Sequence, residues 1–285
     1  MDDLEEAITA ARQAVESTPS DHPARAGWLS NLGSKLKSRY KRTGQMADLE
    51  GASTSFCSAW GCTAAIPFHR ITAAARCLEL LITQQEIGRA AQLGKDIIQL
   101  MPAVSTRLLD RKDQQAAIST FASVASSLCA ILLELGHHED ALHFLEQGRA
   151  VIIGQVIDRQ RDASDLALQH PILARRYESL AREVNTPLRN FEDKGIKATA
   201  LARQRRAVDE ILACITEIRA LPGHDRFLLG QTVAEMQETA IDSSIVIVNI
   251  ADYRSDAIVI SRKKVVALPL PGLPAAEAKA WLNKD

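Results

Sequence analysis

Helical periodicity runs through this chain to about residue 240 and then stops. Ser244-Ile-Val-Ile-Val-Asn-Ile-Ala251 and Asp256-Ala-Ile-Val-Ile-Ser261 follow, β-branched runs that belong in a sheet. Only 24 residues come after Ser261, too short a stretch to finish an α/β domain. The expectation is a complete helical array joined to the opening strands of something larger.

Within the helical part the pattern repeats. Asp3-Leu-Glu-Glu-Ala7 returns as Asp48-Leu-Glu-Gly-Ala52, 45 residues on. Ala7, Ala11, Ala14 and Pro19 share a spacing with Ala52, Phe56 and Ala59, and again with Ala90, Gly94, Ile97 and Pro102. Small residues three and four apart lie on one helix face and let a neighbouring helix approach closely, and the proline ends the helix. Ahead of the second of these helices stands Leu29-x-x-Leu32-Gly33-x-x-Leu36. Looser helix pairs continue with Ile71 to Ile82 before Ala90, and Phe121 to Leu135 before Ala141. Gly136 reads as a helix C-cap, and Glu139-Asp140 place negative charge at the next helix N-terminus. From about Arg161 the repeat fades. Pro171 to Val184 and Ala198 to Ala220 still read as helices, with breaks at Asn185-Thr-Pro187 and Asp193-Lys-Gly195.

The Leu29–Leu36 segment resembles the first helix of a tetratricopeptide (TPR) repeat, and Ala52 with Phe56 resembles the Ala-x-x-x-Phe of its second helix. About seven extra residues around Tyr40 to Met46 lengthen the connection relative to the family's norm. A non-repetitive helical bundle is the alternative; in either case a continuous apolar stripe shared between neighbours supplies the stability.

Ile245 to Val248 is apolar at every position, which suits a strand buried on both faces. Ala257 to Ile260 and Val265 to Leu270 are two further runs, and the short links between the three favour antiparallel neighbours. Pro271-Gly-Leu-Pro274 leads into Ala275 to Leu282, the expected start of a crossover helix. Phe227-Leu-Leu-Gly230, a short acidic helix at Val233 to Ala240 and these strands resemble the beginning of a CHAT domain. Such caspase-like domains follow TPR arrays, a pairing abundant in fungal proteins. The resemblance implies TPR-like repeats over 1–160, connecting or capping helices over 161–224, and the N-terminal part of a CHAT-like α/β domain over 225–285. The fold class expected is therefore mainly α, a TPR-like helical-hairpin solenoid followed by a short β segment.

The family resembles cysteine peptidases with a His and a Cys on loops after later strands. Here no His follows His224 and no Cys follows Cys214, so no catalytic position carries over. Other candidates read as structure. His138 and His143 are five apart, on different helix faces, which favours a solvated cap at His137-His138-Glu139-Asp140 over a metal site. Cys57 and Cys62 are not a Cys-x-x-Cys pair, and Cys77 and Cys129 sit among Ala and Leu. All five cysteines, Cys214 included, read as reduced thiols of an intracellular protein. Arg203, Arg205 and Arg206 with Lys194 and Lys197 form a small basic cluster; Asp209, Glu210 and Glu217 follow directly, which favours a solvated helix face over a phosphate or nucleic-acid surface. No glycine-rich phosphate loop is present. Trp28, Trp60 and Trp281 read as packing residues, with an exposed peptide anchor as the other reading.

A net charge of −1 and 4% aromatic residues argue against a nucleic-acid partner. The acidic N-terminus begins a helix and is not a signal peptide, and no apolar run approaches the ~18 residues that span a bilayer. The expectation is a cytoplasmic interaction scaffold or sensor without cofactor or metal. It holds a protein or peptide on the concave face of its array, and its exposed β segment can self-associate. The alternative is the regulatory part of a caspase-like cysteine peptidase whose His and Cys lie beyond this chain.

Overall fold

A computed structural model describes residues 2–104, 111–156, 161–185, 194–241 and 243–282. Among them the chain is mainly helical, with a short three-stranded antiparallel sheet near its C-terminus. The helices are α1 (Asp2–Glu16), α2 (Arg25–Thr43), α3 (Met46–Gly61), α4 (Pro67–Thr83), α5 (Ile87–Leu100), α6 (Arg111–Glu134), α7 (His138–Val156), α8 (Arg161–Gln169), α9 (Pro171–Asn185), α10 (Lys194–Arg219), α11 (Val233–Thr239) and α12 (Ala275–Leu282). A 3-10 turn, Met101–Ala103, follows α5. The strands are β1 (Ile245–Ile250), β2 (Ser255–Ser261) and β3 (Lys264–Pro269).

Local chemistry sets several helix ends. Gly136 has φ +78° after α6, and the His137 N–H returns to the Leu132 carbonyl at 2.9 Å, closing a left-handed C-cap as its sequence suggests. Thr232 and Glu235 form a reciprocal capping box at the start of α11. Tyr40 to Thr43, read as part of a lengthened connection, instead extend α2 to 19 residues, and Gly44 at φ +72° stops it. Of the breaks expected at Asn185-Thr-Pro187 and Asp193-Lys-Gly195, residues 186–193 lie outside the described residues, Asn185 is the last residue of α9, and Lys194 and Gly195 already belong to α10.

Neighbouring helices pack where the small residues fall. A Cβ added to Gly33 would sit 2.9 Å from the Phe56 ring, so the Leu-Gly position exists to admit that ring between α2 and α3. Phe56, Ala52, Ala59, Ala90 and Ile97 are fully buried. The α2–α3 pair is also held by charge. Arg39 makes two bonds to Asp48, at 2.8 and 2.6 Å, and bridges to Glu5 on α1. Asp48 is buried, and this paired guanidinium makes its burial tolerable.

Residues 113–134 within α6 are apolar and long enough to cross a membrane by length and composition, contrary to the expectation that no run approaches that length. More than half of that stretch is buried inside the fold, where α6 packs against α4, α5 and α7 as a core helix.

The connecting helices follow the same logic. α9 and α10 pack on each other, and α9 also meets α4. Asn185 donates to the Ala103 carbonyl at 3.3 Å, tying the end of α9 to the turn after α5.

The sheet order is β1-β2-β3, with Ile247 opposite Ile258 and Ile258 opposite Ala267. Its inner face carries Ile245, Ile247, Asn249, Asp256, Ile258 and Ile260, and the sheet rests on α6, α7 and α11. On the other face Ser255 and Ala257 of the central strand are buried, but the flanking strands are open to solvent. Val246 is 57% exposed, Val248 45% and Leu268 51%. Burial of β1 on both faces, expected from its unbroken apolar run, does not occur. The main helix contacts of the sheet are those of β1 to α6, β2 to α11 and β3 to α7.

Candidate interaction surfaces

The residues singled out by their chemistry do not assemble into a reactive site. His137, Glu139, Asp140 and His143 are exposed around the start of α7, and Asp140 faces Lys95 at 3.6 Å. No group of three or more His, Cys, Asp or Glu side chains that could hold a metal ion comes together among the described residues. The free thiols Cys62, Cys129 and Cys214 are buried. Burial raises all three above the usual thiol range, Cys129 to about 12, so they stay protonated and poorly nucleophilic near neutral pH.

Cys57 and Cys77 are not thiols. They are joined in a disulfide between α3 and α4, with Cα atoms 5.8 Å apart. This overturns the reading of all five cysteines as reduced, on which the intracellular expectation partly rested. The packing of α3 against α4 brings the two together across 20 residues of sequence, and no short motif announces that.

Among the tryptophans, Trp60 is half-buried beneath the Arg70 guanidinium, 4.9 Å from its ring centroid. Trp28 is 41% exposed and Trp281 60%, so neither is the packing residue its neighbours suggested. In the basic cluster, Arg203 pairs with Glu183 and Glu210. Arg206 is exposed, Arg205 is half-buried, and the side chains of Lys194 and Lys197 lie outside the described residues.

Two surfaces stand out instead. α2 and α4 lie side by side, and so do α4 and α6. Across the first of these seams runs a polar row: Lys37 pairs with Glu79 at 2.7 Å, and Arg76 donates to the Ser34 hydroxyl at 2.9 Å. Asn31, Ser38, Arg76 and Glu79 are exposed there.

The second is the junction of sheet and α6. Asn249 donates from Nδ2 to the Ser126 carbonyl at 3.0 Å. Opposite it in the register, Asp256 is fully buried and accepts from Arg254, whose Nε lies 2.9 Å from Oδ2. The Tyr253 hydroxyl donates to the Glu134 carboxylate at the end of α6. The available signal was a polar residue, Asn249 and then Asp256, in each of two apolar strands; buried polar groups need partners, and the Asn249 amide nitrogen finds one on α6 and Asp256 finds Arg254, while Asn249 Oδ1 is buried without one.

No family model, curated protein or solved structure matches this chain. The functional reading therefore rests on these surfaces.

The latch has its own titration. Burial first, and then the bond to Glu134, push the Tyr253 phenol up to about 12. A folded value above the unfolded one means the neutral phenol is favoured by folding. Its contribution is whole below the ordinary tyrosine value of ~10 and is lost as pH rises towards 12. Spectrophotometric titration of the phenols should show a late component near 12 that Tyr253→Phe removes. A titration curve identical in that variant would contradict the latch.

Proposed function

We propose that this chain is a protein–protein interaction scaffold built from TPR-like helix pairs and attached to the start of a CHAT-like domain. The observation that carries the reading is the polar row across α2 and α4. The first helices of successive pairs stand side by side, and they present Asn31, Ser38, Arg76 and Glu79 to solvent instead of burying them. Stacked helix pairs of this kind create an extended surface able to hold an extended peptide through backbone and side-chain hydrogen bonds. Close contacts at Gly33 in α2 and Gly94 in α5, where an added Cβ would meet Phe56 and Leu128, support a stack of closely packed helices.

A photoreactive residue placed at Asn31 or Arg76 tests the reading directly. Saturable cross-linking to a protein partner is expected from those positions and not from the exposed Arg89 on α5. Charge reversal by Lys37→Glu with Arg76→Glu should weaken capture by about tenfold or more. Equal labelling from both faces, or no labelling at Asn31 and Arg76, would remove the proposal.

A further inference from the structure

The two outer edges of the sheet are guarded differently. With the order β1-β2-β3, the edges of β1 and β3 that face away from β2 have no strand partner among the described residues. An edge strand points half of its backbone N–H and C=O groups outward, and these attract another strand unless charge, proline or a bulge prevents it. β3 begins at Lys264, ends at Pro269 and rests on α7. β1, Ile-Val-Ile-Val-Asn-Ile, holds no charged residue and no proline. Its register with β2 runs unbroken from Ile245 to Ile250, so no bulge turns the edge away.

Side-chain exposure points to the same edge. Val246, Val248 and Ile250 face solvent, at 57, 45 and 37% exposure, as a β-branched row along β1. On β3 the solvent-facing Leu268 stands on the far side of the sheet, with Ala257 of β2 between it and Val248.

We propose that β1 pairs antiparallel with β1 of a second copy of this chain, joining two three-stranded sheets into one of six strands about a two-fold axis. Side chains directly opposite in an antiparallel pair share a face. Registers that match even positions with even ones therefore keep the inner face of both sheets on their helices. An axis at Val248 sets Val248 against its own copy and Val246 against Ile250, so every solvent-facing apolar residue of one strand meets one of the other. An axis at Ile247 would leave Ile250 opposite Ser244. Charge favours the antiparallel arrangement. Asp252, exposed just beyond β1, lies at opposite ends of such a pair, whereas parallel strands would bring the two acids together. A net charge of −1 adds little repulsion between copies. The contact is isologous, so it closes at a dimer and leaves the guarded β3 edges outermost. It is separate from the α2–α4 row, and its fate does not decide the scaffold reading.

Sedimentation of the full chain over a range of concentrations provides the test. A six-residue edge is a small interface, so a reversible dimer with a dissociation constant on the order of 10 µM is expected. Val248→Lys sets two like charges against each other at the axis and should weaken dimerisation by about tenfold or more. Leu268→Lys adds the same charge to the same face away from the edge and should leave the dimer unchanged. Val248 and Leu268 are each close to half exposed, and circular dichroism checks that both variants fold. Val248→Cys reads the register without adding charge. Opposite Cα atoms in an antiparallel pair are about 4.5–5.5 Å apart, within disulfide reach, so oxidation by diamide should link two copies. Val246→Cys alone should not link, but should link to Ile250→Cys when the two variants are mixed. A chain still monomeric at about 100 µM would overturn the proposal. So would equal losses in the two lysine variants, which would mean that the sheets stack face to face. Capture of an unrelated extended peptide by a β1 that never pairs with its own copy would overturn the second copy as occupant.

Discussion

Gly148→Ala should destabilise the chain by about 3 kcal/mol, while Gly27→Ala should stabilise it by up to about 1 kcal/mol. The same chemical change has opposite signs because of what the new methyl meets. At Gly148, inside α7, a Cβ would lie 2.5 Å from the Ala125 Cβ on α6. Carbon atoms attract best at about 3.5–4.0 Å, so the two helices must part by an ångström or more. Ala125 has no rotamer by which to escape, since its Cβ is bound directly to the backbone. The helix-propensity gain of alanine over glycine, about 1 kcal/mol, is too small to offset this. Gly27 faces open space in α2, so only the propensity gain remains. Urea unfolding followed by circular dichroism reads both variants. A Gly148→Ala protein as stable as the parent would show that α6 and α7 are not packed this closely, and Ala125→Gly should restore much of the loss.

Arg254→Met should cost about 3 kcal/mol and loosen the sheet from α6. Asp256 is fully buried, and Arg254 is the side chain that pairs with it among the described residues. Removing the guanidinium leaves a carboxylate in an apolar setting beside Ile258 and Cys129, and most of the cost comes from keeping an unpaired charge out of water. Because the Arg254 side chain is 27% exposed, water can reach part of the site and the effect falls at the low end of the range for buried pairs. The double variant Arg254→Met with Asp256→Leu should recover most of the loss, since both charges then leave together. Hydrogen exchange over Ile245–Ile250 supplies an independent reading. Faster exchange is expected in the single variant, and unchanged protection in both would mean that the pair does not hold the sheet in place.

What was legible in the sequence followed from local interactions. Gly136 marks a helix end because backbone geometry near it is decided within a few positions. Leu32-Gly33 and Phe56 could be read as a contact because small and large residues recur at helical spacing, and the added-Cβ distance at Gly33 gives that spacing its physical meaning. The three strands and their antiparallel order followed from β-branched runs joined by links too short for a crossover.

Other features depended on residues far apart in the chain. An all-apolar strand cannot report whether one or two layers cover it, and Val246 and Val248 proved to lie on an open face. Cys57 and Cys77 each looked like a small buried hydrophobe, and only the antiparallel packing of α3 on α4 sets them at bonding distance. The cluster on α10 read as a solvated helix face because Asp209 and Glu210 follow its arginines. Folding instead sends Arg203 to Glu183 and Glu210 and turns Arg205 to the Asp21 carbonyl, 184 positions earlier. The order of residues determined that the chain would be helical first and β-stranded last, because periodicity is a local property. Which face of the sheet is covered, which thiols join and which charges meet were decided by the tertiary packing, because each depends on a partner that the local sequence does not contain.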